Sequence, residues 1–178
     1  RVINQRYNVS VGGGGDKTSY YASLGYLGND GIYASDLDWL KRMNTVVKVN
    51  TEITDWFNFG VNVKYNRQET TRPTIWNGGQ NDTRFINQLT WLPPVPTYND
   101  NGSPNEFSIL PNLDGLSGSF NNVSDDLWSM YNVEFKPLKG LSIKADYAWN
   151  MSKGFDKNTE LVFYGFDADG AIMPSRRS

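Results

Sequence analysis

The feature that most constrains this chain is strict alternation of apolar and polar residues. It is cleanest in Trp56–Asn66, where every second residue is apolar and the residues between are Asn, Gly or Lys. Successive side chains of a β-strand point to opposite faces, so this pattern predicts a strand with one apolar and one wet face. An all-β fold is therefore expected, an antiparallel meander of six or seven strands. The other predicted strands are Gln5–Val11, Thr18–Leu27, Leu40–Ile53, Leu127–Lys136, Leu141–Ser152 and Glu160–Phe166.

The connections between these strands alternate in length. Gly12–Asp16, Thr54–Asp55 and Pro137–Gly140 are short and rich in turn-forming residues. The connections that fall between them are longer, about 12 residues over Gly28–Trp39 and about 55 over Arg67–Ser124. Since a meander reverses at every turn, the short turns are expected at one rim of the sheet and the long connections at the other.

The longest connection, Arg67–Ser124, contains six prolines and many Asn and Gly residues. One short helix is predicted at Asp82–Trp91, with Asp82 as its N-cap and Pro93 beyond its end. Connections in compact domains usually have about four to six residues, so this one is a functional loop or an inserted subdomain. The expected organisation is strands in 1–66, a long loop in 67–124 and further strands in 125–178.

Composition excludes several classes of function. The chain contains no Cys and no His, which excludes disulfide scaffolds, thiolate or imidazole metal sites and Ser-His-Asp triads. A net charge of −2 gives no electrostatic reason to expect nucleic acid binding. No apolar run approaches the roughly 18 residues of a membrane helix. We therefore expect that the chain is not an enzyme and holds no cofactor or metal. Both ends of the sequence are interpreted as cuts within a longer protein.

The dimensions of the predicted strands match a transmembrane β-barrel. Phe57 and Tyr65 are eight residues apart on one face, roughly 26 Å along a strand. A tilt of about 40° reduces this to roughly 20 Å of depth, close to the apolar band and aromatic girdles of outer-membrane barrels. Short turns on one rim and long loops on the other are typical of the same class. A soluble antiparallel sandwich also alternates, so it stays open as the alternative.

Three stretches resemble SusC/RagA-like TonB-dependent transporters, outer-membrane proteins of Bacteroidetes. They are the hairpin from Tyr7–Val11 through Asp16–Tyr26, residues 42–60, and the loop Pro93–Gly102. The resemblance implies a segment of a 22-stranded barrel that holds a plug and lies in the cell outer membrane. It also implies import of glycan fragments or peptides, powered through TonB, under a lid formed by a SusD-like lipoprotein. The chain contains no TonB box, plug domain or closing strands.

Two groups of residues are candidate contact sites. In the long loop, aromatic side chains and an Asx-rich turn are candidates for stacking on a sugar or for contacting the lid protein. On the strand Trp56–Asn66, the polar face is a candidate lining of the solute path. For the loop residues, the favoured alternative is that they fix the loop onto itself or onto the rim. For the strand residues, the favoured alternative is a passive wall in contact with water. The loop candidates are Trp76, Trp91, Tyr98 and Asp100, and the lumen candidates are Asn58, Asn62, Lys64 and Asn66.

No catalytic, cofactor or metal site is predicted. The turns Tyr98–Gly102 and Asp167–Gly170 carry carboxylate and amide oxygens, but they lack the spacing and the distal Glu of a calcium loop. The competing function is a soluble β-sandwich module that binds carbohydrate on an aromatic platform. The two hypotheses differ in one observable, because a barrel wall has a single lipid-facing apolar band and a sandwich buries its apolar faces in a dry core. Outside a membrane, a barrel segment is expected to self-associate through its faces or edges.

Overall fold

Six strands form one antiparallel sheet in which each strand pairs with the next along the chain. The computed structural model describes residues 2–31, 36–74, 90, 94–105, 107, 108, 110–161, 164–167 and 169–173. The sheet is not closed, and the prediction of an all-β antiparallel meander is confirmed. The strands are β1 (Asn4–Gly14), β2 (Thr18–Asp30), β3 (Trp39–Thr54), β4 (Phe57–Pro73), β5 (Gly118–Leu138) and β6 (Leu141–Glu160).

The strands lengthen along the sheet, from 11 residues in β1 to 21 in β5. β4 continues to Pro73 and β5 begins at Gly118, so both run well beyond the ends expected at Asn66 and Leu127. The alternation disappears in these extensions because both faces are mostly polar, and the two apolar residues Phe120 and Val123 lie on opposite faces. Strand pairing continues there because it depends on backbone hydrogen bonds. The connection between β4 and β5 is therefore residues 74–117.

The register brings the apolar positions of all six strands to one side of the sheet. A slip of one residue would turn a whole strand over, so such agreement across five pairings specifies the register strongly. One row of directly paired residues on the apolar side runs through Val9, Leu24, Thr45, Tyr65, Leu127 and Met151.

The two rims of the sheet differ as expected. β1 and β2 are joined by three residues, Gly15–Lys17, β3 and β4 by Asp55 and Trp56, and β5 and β6 by Lys139 and Gly140. Gly140 has a φ of +85°, which side-chain-bearing residues rarely adopt. We call this edge the short-turn rim. The opposite edge, the long-loop rim, carries connections 31–38 and 74–117, which confirms the predicted alternation of loop lengths.

The predicted strand Glu160–Phe166 is wrong as a strand of this sheet. Glu160 is the last residue of β6 and pairs with Gly118. The chain then leaves the sheet, and Gly165–Phe166 forms a two-residue strand, β7, that pairs with β8 (Ile172–Met173). The backbone N–H of Phe166 donates to Pro104 O at 3.0 Å, so β7 is held by the long loop instead of by β6.

Buried side chains concentrate at the base of the long loop. Pro111, in a 3₁₀-helix over Leu110–Asp114, is fully buried. Thr74 Oγ1 donates to Ser117 O at 2.7 Å, and Ser117 Oγ donates to Asn112 Oδ1 at 2.6 Å, so the polar groups buried here are paired. Thr90 is helical, but the rest of the predicted helix Asp82–Trp91 lies outside the described residues.

Within the described residues, no helix combines the length and the apolar character that crossing a membrane requires.

Candidate functional site: two faces of one sheet

The apolar face of the sheet is open. Val9 is 72% exposed and Tyr147 64%, values far above those of core residues. Apart from the rim hairpin β7–β8, the described residues contain no second sheet that packs on this face. A continuous exposed apolar patch of this extent marks a surface meant for a partner or a membrane. Its exposed large residues on β1, β2 and β6 include Tyr7, Val9, Val11, Tyr20, Leu24, Leu141, Ile143, Tyr147, Trp149, Met151 and Phe155.

Aromatic side chains lie at both ends of the apolar band. At the short-turn rim, the ring of Trp56 meets Phe135 edge-on, with centroids 5.4 Å apart, and lies 5.9 Å from Phe57. At the other end, Tyr7 and Tyr26 stack with centroids 6.2 Å apart. Such rings tolerate one apolar and one wet neighbour, so their position fits an interface between two solvents.

The apolar band crosses the sheet obliquely. On β1 its middle is Val9, whose row of paired residues reaches Met151 on β6. On β6 the apolar run covers Leu141–Met151, so its middle lies about five residues from Met151. The band therefore shifts by about one residue at each of the five strand-to-strand steps. One residue is about 3.3 Å and strands are about 4.8 Å apart, which gives a tilt of about 35°.

A cluster of charged residues marks where the apolar band ends on β4 and β5. Arg67 Nε lies 2.8 Å from Glu69 Oε1, and Arg67 Nη1 lies 3.7 Å from Asp125 Oδ1. The Tyr65 hydroxyl donates to the same Asp125 oxygen at 2.6 Å. Beyond this cluster, β4 and β5 continue toward the long-loop rim with polar residues on both faces.

The polar face carries rows of amide side chains interrupted by glycines. A Cβ placed on Gly25 would lie 2.6 Å from Asn44 Nδ2 and 2.8 Å from Asn8 Oδ1. The amides of two neighbouring strands thus reach over a strand that lacks a side chain at this point. Gly60 has the same arrangement, with Asn50 on one side and Asn132 on the other.

A polar pocket of about 430 Å³ lies on this face near the short-turn rim. Its lining reaches from the β1–β2 turn to β6, so the polar face is concave there. Amide and charged side chains provide most of the wall, and Gly60 forms part of it. Its principal polar residues are Asp16, Lys17, Asn50, Glu52, Asn58, Asn132, Glu134, Lys144 and Asp146.

The four predicted lumen residues all lie on the polar face. Asn58 Nδ2 donates to Glu134 Oε2 at 3.0 Å, while the Oδ1 atoms of Asn58 and Asn62 are buried and accept no hydrogen bond among the described residues. The Lys64 ammonium lies 4.7 Å from the centroid of the Trp128 ring, a cation–π contact. Asn66 is paired in register with Asp126.

Tyr98 and Asp100 lie at the opposite end of the molecule, in the long loop. The Tyr98 hydroxyl donates to Asp114 Oδ2 at 2.7 Å. This bond favours the protonated phenol and raises the pKa of Tyr98 above its ordinary value. The loop is thus fixed onto itself at Tyr98, although the side chain stays 40% exposed. The other two loop candidates, Trp76 and Trp91, lie outside the described residues.

Asn99 joins the loop to the β7–β8 hairpin. Its Nδ2 atom lies 3.0 Å from Phe166 O and 3.1 Å from Asp167 O, and its Oδ1 accepts from Asn105 Nδ2 at 2.9 Å. The Asp167 carboxylate accepts the backbone N–H groups of Asp169 and Ala171, at 3.0 and 2.8 Å. In the described part of the chain, no three acidic side chains come close enough to hold a metal ion.

Sequence reasoning missed the pocket. Asn50, Gly60, Asn132 and Asp146 form one row across β3 to β6, yet they come from positions up to 96 residues apart. Only register unites them, and register cannot be read from the alternation within single strands. The available signal was Gly60 itself, a glycine inside an otherwise regular strand, which often marks a close approach by another group.

No protein-family model matches the chain, and no curated protein does either.

Proposed function

We propose that this chain forms part of the wall of an outer-membrane β-barrel transporter of the SusC/RagA-like, TonB-dependent type. In this proposal the apolar face contacts lipid and the polar face lines a wet lumen. One observation carries it: the apolar positions of all six strands form a single band on one side of one sheet, and this band is half-buried on β4 and has exposed residues on the other five strands. A wall between lipid and water needs this arrangement, and a domain with a dry core does not produce it.

The geometry of the band supports the same proposal. Strands of outer-membrane barrels tilt by about 35–45°, and a tilt of about 35° follows from the shift of the band across the sheet. Aromatic residues at both ends of the band correspond to the girdles at the two membrane interfaces. The charged cluster at Arg67, Glu69 and Asp125 then lies at the level where the wall leaves the hydrocarbon.

The sheet has open edges at β1 and β6, so the proposed wall requires further strands that pair with these two. Unpaired backbone groups are costly in hydrocarbon, so lipid tolerates only closed sheets. Six strands are fewer than the eight of the smallest barrels of this class. We therefore propose that a longer parent protein supplies the remaining strands. Alone in water, we expect the chain to self-associate through its apolar faces or its edges.

Transport itself belongs to the proposed parent. The concave, amide-rich polar face is suited to a hydrated solute path for glycan fragments or peptides. The long-loop rim, with residues 74–117, is the surface proposed to face the outside and a SusD-like lipoprotein. Energy is proposed to reach the parent through TonB. In the parent, replacing residues 74–117 by a short turn should lower substrate uptake, and unchanged uptake would remove the loop from this proposal.

Two tryptophans test the assignment of the faces. Trp149 lies on the apolar face and is 45% exposed, whereas Trp128 lies on the polar face beside Lys64. In single-tryptophan versions of the chain, with the other tryptophans replaced by Phe, we expect a brominated alkyl detergent to quench Trp149 strongly and Trp128 weakly. Equal quenching of both residues, or quenching of neither, would contradict the proposal.

A further inference from the structure

Charges on the polar face are separated by sign. From the row of Gly60 to the long-loop rim, the polar face of β1 to β4 carries cations and no anion, whereas that of β5 and β6 carries anions and no cation. Lys153 and Lys157, the cations of β6 in this region, belong by register to the apolar side. The cation column is Arg6, Arg42, Lys48, Lys64 and Arg72, and the anion column is Asp126, Asp146, Asp156 and Glu160.

The two columns do not neutralise each other in pairs. All of their residues are exposed. Arg42, Lys48 and Asp146 form no side-chain hydrogen bond or ion pair within the described residues. Lys64 lies over the Trp128 ring, although Asp126 is its diagonal neighbour on β5. The polar face therefore carries two separate strips of opposite charge.

The separation of the columns lets both act on one small solute. The midline of β3 and β4 and the midline of β5 and β6 are two strand spacings apart, about 10 Å. The Debye length is also about 10 Å at 0.1 M ionic strength, so the field persists over this gap at moderate salt. At 1 M the Debye length is about 3 Å, which removes most of the field.

We propose that the polar face orients a short peptide with free termini across the sheet, its carboxylate toward the cation column and its ammonium toward the anion column. An extended peptide of three residues spans roughly 10 Å, the distance between the columns. A neutral glycan fragment carries no charge on which the field can act. Complementary charge works over the whole face and needs no fixed site. The inference rests on the proposed lumen and names the peptide as the solute to which this wall is matched.

The first test measures the field of the columns directly. The full chain in nonionic detergent micelles is exposed to two nitroxide probes with the same ring, one bearing a carboxylate and one an ammonium group. We expect the anionic probe to relax the amides of Lys48 and Lys64 about threefold more than the cationic probe does. The order should reverse at Asp126 and Asp146, and both differences should shrink at 1 M salt. Equal relaxation by the two probes in both columns would overturn the proposal.

The second test measures orientation. Two zwitterionic tripeptides carry a nitroxide amino acid, one at the first and one at the third position. The label next to the carboxylate should relax amides of β3 and β4, and the label next to the ammonium should relax amides of β5 and β6. Tripeptides with an acetylated amino end and an amidated carboxyl end are the matched neutral control and should show no preference. The same preference in the capped peptides, or none in the zwitterionic ones, would contradict the proposal.

Variants identify the charges responsible. The double substitution Asp126→Asn with Asp146→Asn should reduce the preference of the ammonium end for β5 and β6 by about half or more, because it removes two anions of the column. Asp100→Asn with Asp169→Asn changes the net charge equally, but it does so at exposed residues of the long loop and of the β7–β8 turn. This control should leave the orientation unchanged. Circular dichroism in micelles verifies the sheet of each variant, and equal effects of the two double variants would remove the role of the anion column.

The two proposals fail in different ways. Detergent quenching of Trp149 reports on the apolar face, whereas the nitroxide peptides report on the polar face. A chain that is quenched at Trp149 but does not orient the peptides would retain the proposed wall and lose the orienting face. A chain that is not quenched at Trp149 would lose the lumen, and this inference with it.

Discussion

The two faces of this sheet share one backbone and differ in almost everything else. Val61 points to the apolar side, next to exposed neighbours such as Tyr131 and Tyr147. Gly60, one residue earlier, is buried on the polar side beneath two amides. In a soluble sheet the apolar face is the covered one, and here it is the open one. The comparison shows that the described chain leaves its apolar face uncovered, and in our proposal the lipid of a membrane covers this face.

The largest effect is expected from a charge on the apolar face. Val63→Arg places a cation near the middle of the proposed lipid-facing band, which costs about 2–4 kcal/mol in outer-membrane barrels. Asn66→Arg, on the polar face of the same strand, should change the free energy of unfolding by less than about 0.5 kcal/mol. Denaturant unfolding in lipid vesicles measures both in the parent. Similar costs for the two substitutions would remove the distinction between the faces.

A smaller loss of stability is expected from adding a side chain at Gly60 on the polar face. Gly60→Ala introduces a Cβ that must displace the Asn50 and Asn132 side chains, so we expect a loss of about 1 kcal/mol. Gly154→Ala is the control, because its Cβ would meet nothing within 4 Å. Adding Asn132→Ser to Gly60→Ala should recover part of the loss. Unfolding in micelles gives all three values, and equal costs at Gly60 and Gly154 would show that the polar face has no such constraint.

The next prediction concerns the long loop, where a substitution should affect the loop and the β7–β8 hairpin and leave both faces of the sheet unchanged. Asn99→Ala removes the side-chain hydrogen bonds that join this loop to Phe166 and Asp167, so amides of the β7–β8 hairpin should exchange with solvent about tenfold faster, equivalent to about 1.4 kcal/mol. Asp100→Ala, at a neighbouring residue whose side chain makes no hydrogen bond or ion pair within the described residues, should leave exchange unchanged. Faster exchange in β2 or β6 of the Asn99 variant would show that loop and sheet are coupled.

The smallest expected effect is the loss of loop stability when Tyr98 ionises at high pH. Its pKa is raised by the hydrogen bond to Asp114, so this bond stabilises the loop fully below the ordinary phenol pKa of about 10 and is lost as pH rises through the raised value. The difference between the ultraviolet titrations of the chain and of its Tyr98→Phe variant should show late ionisation of Tyr98. Asp114→Asn should move the transition toward about 10. An unchanged titration would show that Asp114 does not hold the phenol.

The sheet was largely predictable because alternation is local. A run such as Phe57–Tyr65 shows its two faces without reference to any partner, and the short turns at Thr54–Asp55 and Pro137–Gly140 identify the neighbouring strands. Where both faces of a strand carry polar residues, as in the extension of β4 to Pro73, the alternation carries no signal, and the end of β4 was predicted too early. The prediction of a separate strand at Glu160–Phe166 was wrong for a related reason, because only the length of β5 shows that Glu160 still belongs to β6.

The candidate site was less predictable because it depends on contacts between distant strands. Asn58, Asn62, Lys64 and Asn66 were placed on the polar face correctly from period alone. Their pairing with Glu134, Trp128 and Asp126 required the register between β4 and β5. Whether any of them contacts a solute stays a prediction.

The gradient in strand length has a consequence for the shape of the proposed barrel. β5 has ten residues more than β1, about 33 Å of additional strand. Because the band shifts by about one residue at each strand, the short-turn ends of β1 and β5 lie at about the same level of the proposed barrel, and most of the difference appears at the other rim. The mouth of the barrel would then be slanted, with a high side at β4 to β6 and a low side at β1. A solute arriving over the low side would meet the tall inner wall first, and its path into the lumen would begin sideways.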